Sequence, residues 1–133
     1  MEKTAKAKKA PVYLTKISRE TFDKLKEQIL QALVVEKRYR DSSFTASQLA
    51  ELLHTNTRYI SIVLSVRYHA NFSQFVNRLR VEEAMALLQD SRYADLRIEE
   101  ISDMVGFSNR QTFYRAFCQI TNKTPREYQE SLG

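Results

Sequence analysis

The chain has 133 residues, 43% of them hydrophobic, and a formal net charge of +5, enough for one compact domain or two very small ones sharing a helix. Its single cysteine, Cys118, excludes an internal disulfide, and with two histidines beside it argues against a structural zinc site. No apolar run approaches the roughly 18 residues of a membrane span, so no membrane contact is expected from this segment.

Two glycines, two prolines and no regular alternation of β-branched residues point to an all-α fold with few elaborate loops. The lone thiol suits a reduced, cytoplasmic protein. Residues 1–16 hold five lysines against Glu2 and so carry +4 of the +5. They read as a flexible basic tail or linker, and the pI alone is weak support for nucleic acid.

A first helix-turn-helix unit is expected over residues 17–70. A helix runs from about Arg19 to Lys37, with Phe22, Leu25, Ile29 and Leu33 on one side. Thr45, helped by Gln48, caps a second helix whose inner surface is Leu49, Ala50, Leu52 and Leu53. After a turn at His54–Asn56, Asn56 caps a third, with Ile60, Val63 and Leu64 inside and Thr57, Arg58 and Ser61 outside.

Residues 71–91 form a linker helix, capped by Asn71 with Gln74. Phe72, Phe75, Val76 and Leu79 share one face. Val81, Ala84, Met85 and Leu88 share another, about half a turn round at 100° per residue. A face that switches near Arg80 predicts a strut whose halves pack on different modules.

A second unit occupies residues 92–133. Ile98, Ile101 and Val105 mark a short helix ended by Gly106, while Phe113, Ala116, Phe117 and Ile120 mark the next. Ser108 with Gln111 offers that helix a capping box. Thr124 with Glu127 offers another to a last helix, with Pro125 at its first position. Met85 and Met104 read as core. The first helix of this unit is acidic (Glu99, Glu100, Asp103) and the second carries Arg110 and Arg115, the donor placement that major-groove reading requires.

The two units overlay at a constant offset of 53: Ile60, Val63 and Leu64 fall on Phe113, Ala116 and Phe117, and His69 falls on Asn122. The overlay indicates a duplicated module, with a turn one residue longer in the second copy. His69 and Asn122 each end an outer helix with a residue type that tolerates positive φ.

RVEEAMALL (80–88), IEEISDMVGF (98–107), TFYRAF (112–117) and TPREY (124–128), with looser matches at LAELL, YIS and NFSQFV, make the chain resemble the DNA-binding domain of AraC/XylS-type bacterial transcription regulators from about residue 19 onward. The resemblance implies about seven helices, two helix-turn-helix units on one long helix, and an asymmetric double-stranded DNA site read in successive major grooves. It also implies transcriptional control, commonly activation through RNA polymerase. Base-reading positions of the family fall on Arg110, Gln111 and Arg115 in the second unit and on Arg58, Ser61 and Ile62 in the first. The glycine usual after each recognition helix is replaced by His69 and Asn122. Ile62 stands where a polar or basic reader is common, and either meets a thymine methyl or packs internally.

Thr57, Asn109, Thr112 and Tyr114 are candidate phosphate ligands near helix N-termini. Solvated surface is the competing role for each of these polar residues. Phe107, Phe113 and Phe117 lie on the apolar stripe, and so read as core. No nucleophile–base–acid set can be assembled, so no catalytic residue, cofactor or metal is expected. The segment is expected to be monomeric. The competing function is a helical protein-interaction module that keeps the fold without reading DNA.

Overall fold

A computed structural model describes residues 17–133 of the chain. Among them are seven α-helices and no strand: α1 (Arg19–Leu30), α2 (Ala46–Leu52), α3 (Thr57–Tyr68), α4 (Phe72–Gln89), α5 (Ile98–Val105), α6 (Arg110–Thr121) and α7 (Pro125–Ser131). The basic tail lies outside the described residues.

Ser18 starts α1 by accepting the Thr21 N–H. The continuous helix expected to Lys37 instead becomes a π-helical turn at Gln31–Val35, which buries Ala32 and Leu33 side by side. Lys37, at φ 56°, then turns the chain into a 3-10 turn at Arg38–Arg40. The boxes expected at Thr45/Gln48, Asn71/Gln74 and Thr124/Glu127 all form.

Two separate cores result. Leu25, Ile29, Leu33, Leu49, Ile60 and Leu64 make the first, closed by Phe75 and Val76 from α4. Ile101, Val105, Phe107, Phe113 and Phe117 make the second, closed by Val81 and Ala84 from the same helix. The apolar face of α4 therefore switches modules where expected, with Arg80 buried at the crossover. Its 18 residues make a strut about 27 Å long at 1.5 Å per residue.

Three apolar assignments need correction. Met104 is exposed because the buried stripe of α5 is Ile98, Ile101, Ser102 and Val105, the i, i+3, i+4, i+7 set that leaves Met104 outside. Ile120 is also exposed, facing an open cleft with His69, Gln74, Asn77 and Arg78 rather than the second core. Leu52 is exposed at the end of α2, leaving Leu49 and Ala50 as the buried residues there.

Candidate nucleic-acid interface

Helices α3 and α6 are copies of one device. Each has 12 residues, each is capped by an asparagine whose Oδ1 accepts an N–H three residues on, and each ends at a left-handed residue. The caps are Asn56 and Asn109, the ends His69 (φ 54°) and Asn122 (φ 63°). Every one of these positions obeys the offset of 53.

Two expectations are corrected by this symmetry. Asn109, not Ser108, caps α6, because its Oδ1 lies 2.8 Å from the Thr112 nitrogen. Gln111 is thereby released from any capping-box duty. The turns are also equal in length: α2 and α5 end at Leu52 and Val105, and α3 and α6 begin at Thr57 and Arg110. They differ in where the backbone reverses. Gly106 takes the positive φ in the second copy and His54 in the first.

The outer faces carry most of the expected readers. Thr57, Arg58 and Ser61 are exposed on α3, and Arg110, Gln111 and Arg115 on α6. Asn56, Thr57, Arg58 and Ser61 line a shallow depression. Asn109 is exposed, with Oδ1 committed to its cap and Nδ2 near Ser108 Oγ; Thr112 and Tyr114 are half-buried. Arg110 is held from two sides, 5.0 Å above the Tyr114 ring and 3.9 Å from a Glu99 oxygen. Among the described residues no ion pair engages Arg58 or Arg115.

Ile62 is the exception. It is 3% exposed, so of its two possible roles it has the internal one, and it has almost no surface to offer a thymine methyl. Its duplicate position is Arg115, which is exposed. The readers thus divide unequally, two candidates remaining on α3 and three on α6.

A family model described as a helix-turn-helix domain matches residues 49–131, from α2 of the first unit through the linker helix and nearly all of the second unit. The C-terminal domain of the response regulator YesN from Fusobacterium nucleatum shares 30% identity and a TM-score of 0.66, over 77% of this chain and 97% of that one. The chain belongs to the AraC-type helix-turn-helix family. That family is one of DNA-binding transcription-regulator domains. The AraC-type chain is also 27% identical, over 68% of its length, to an uncharacterized HTH-type transcriptional regulator of Bacillus subtilis, YtdP, of which it spans 11%. A third relative, the C-terminal domain of the response regulator AraT from Geobacillus stearothermophilus, shares the fold at a TM-score of 0.68 and 24% identity, over 87% and 88% of the two chains.

How the AraC-type units are held together was not visible in the sequence. Arg80 donates from Nε to the Tyr39 carbonyl at 2.7 Å and from Nη1 to Asn77 at 3.2 Å, and its guanidinium lies 5.6 Å from the centre of the Phe107 ring. One turn on, Glu83 accepts from Tyr39 Oη at 2.9 Å and Arg40 Nε at 3.0 Å, and pairs with Arg40 Nη2 as well. Lys37 stands 3.7 Å away. Burial pushes the Glu83 carboxyl up, but the bonds from Arg40 and Tyr39 outweigh it and hold the group below the usual carboxylate range. Burial and Glu83 together push the Tyr39 phenol up to about 12. Burial lowers the Arg80 guanidinium, which stays charged in any case. The only signal in the sequence was an arginine at the face switch of the linker helix.

Proposed function

We propose that this domain reads two neighbouring half-sites of double-stranded DNA, with α3 and α6 in successive major grooves. The single observation behind the reading is the repetition of one exposed, asparagine-capped helix at both ends of a common strut. That strut, about 27 Å long, is near the roughly 34 Å turn of B-DNA. Arg115 and Arg110 suit guanine O6 and N7, Gln111 suits adenine, and Arg58 and Ser61 supply the first unit's contacts. Thr57, Asn109, Thr112 and Tyr114 are assigned to phosphate.

The biological output proposed is transcriptional regulation in the cytoplasm, by activation through contact with RNA polymerase, with this domain acting as a monomer. None of the described helices is long and apolar enough to cross a membrane.

Selection of bound duplexes from a random pool tests the reading. A bipartite consensus is expected, and Arg115→Ala should weaken the selected site by about 1–3 kcal/mol while relaxing preference at one base pair. Equal weakening on selected and random duplexes would remove Arg115 from the readers. Absence of any shifted duplex at low salt, together with tight binding to a protein, would favour an interaction module instead.

A further inference from the structure

The long helix alone does not fix how the two units are oriented. A shared helix is one connection, about which either unit can tilt by bending or fraying. The structure adds a second connection at the middle of the strut. Arg80 and Glu83, one turn apart on α4, both hold the Tyr39–Arg40 segment of the first unit. Arg80 also lies over Phe107 of the second unit's core. Gly106 completes the closure from that side: a Cβ there would fall 2.3 Å from the Tyr39 carbonyl oxygen and 2.8 Å from the Arg40 Cα. The turn between α5 and α6 is thus seated directly on first-unit backbone.

These contacts are costly to assemble for packing alone. Arg80 is only 8% exposed, and burying a guanidinium beside carbonyls and an aromatic ring is weak evidence of stabilisation. Directional bonds do something that an apolar patch does less well, which is to define one geometry. The segment they hold is fixed by its own turn, and Gly106 opens the loop that leads into α6.

We propose that Arg80 and Glu83 are positioning residues that lock the angle and separation of α3 and α6, and so select the spacing between the two half-sites. This rests on the two-half-site reading above. Neither residue touches DNA; both act through Tyr39, Arg40 and the Gly106 turn.

The test uses the whole chain, with Glu83→Gln and Tyr39→Phe as mild variants and Arg80→Met as the stringent one. Spin labels at Ser47→Cys on α2 and Gln129→Cys on α7, in a Cys118→Ser background, report the distance between units without DNA. One narrow distance distribution is expected with the latch intact, and a distribution at least twice as wide in Arg80→Met and Glu83→Gln. The second readout is affinity for the selected duplex and for versions with one or two base pairs added between half-sites. The intact chain should lose 10-fold or more per altered spacing, the latch variants less than 3-fold, with affinity for each isolated half-site unchanged.

An unaltered distribution and an unaltered spacing penalty in folded Glu83→Gln and Arg80→Met would overturn the proposal. A uniform loss across all spacings would also overturn it, since that is what mere destabilisation produces. If the unsubstituted chain binds no duplex, the DNA reading fails and spacing selection with it, while the distance distributions still decide whether the latch orients the units.

Discussion

Arg110 stands over the ring of Tyr114, 5.0 Å from its centroid and one turn back along α6, while Glu99 of α5 approaches the same guanidinium at 3.9 Å. The tyrosine orients the arginine by a cation–π contact, and the glutamate competes with any phosphate or base that Arg110 would meet. Glu99→Gln should therefore tighten DNA binding several-fold at low salt, with the gain shrinking as salt is raised. Tyr114→Leu should weaken it by removing both the ring under Arg110 and the hydroxyl assigned to phosphate, and Tyr114→Phe, which keeps the ring, should weaken it less. Fluorescence anisotropy titrations at two ionic strengths check all three.

The cap of α6 separates two adjacent residues. Asn109 satisfies the Thr112 N–H, so Asn109→Ala should cost about 1 kcal/mol of stability. Ser108 makes no such bond, and Ser108→Ala should stay within about 0.5 kcal/mol. Urea denaturation of both variants gives the comparison directly.

Gly106 has two reasons to be glycine. Its φ of +109° disfavours any L side chain, and the nearest obstacle to a Cβ is backbone rather than a side chain that can swing away. Gly106→Ala is expected to destabilise by about 2–4 kcal/mol, combining backbone strain with overpacking. A change below 1 kcal/mol in thermal or chemical unfolding would mean that the turn backs away from Tyr39 freely.

The latch also makes stability depend on pH. The Glu83 carboxyl lies below its ordinary value of 4.5 in the folded chain. Its contribution is therefore complete above 4.5 and is lost as pH falls through the lowered folded value. Tyr39, raised from 10.0 to about 12, has the opposite sign, its contribution being complete below 10.0 and lost as pH rises towards 12. Thermal unfolding should show a smaller acid-side loss in Glu83→Gln than in the unsubstituted chain, and a smaller alkaline-side loss in Tyr39→Phe.

Local patterns were legible in the residues because local physics writes them. Caps are set by a side-chain oxygen and an N–H three positions away, so Thr45, Asn56, Asn71 and Thr124 could be named in advance. Asn109 was missed although the offset of 53 from Asn56 pointed to it; Ser108 offered an equally good motif one residue earlier, and motif strength alone does not choose between neighbours. Ile120 obeys its helical period and is still exposed, because periodicity says which side a residue faces and not whether anything covers that side.

The all-helical class, the duplicated module, the exposed arginines of α3 and α6 and the crossover of the linker helix follow from spacing and residue type along the chain. Whether Ile62 is inside or outside was decided by packing, and what Arg80 and Glu83 hold depended on residues some 40 positions apart meeting in space. Tyr39 and Glu83 are joined by a phenol–carboxylate bond across 44 positions, and no local rule of helix or turn connects them. Only the packed arrangement of the two units brings such groups within bonding distance, and so only tertiary structure decides how one recognition helix is set against the other.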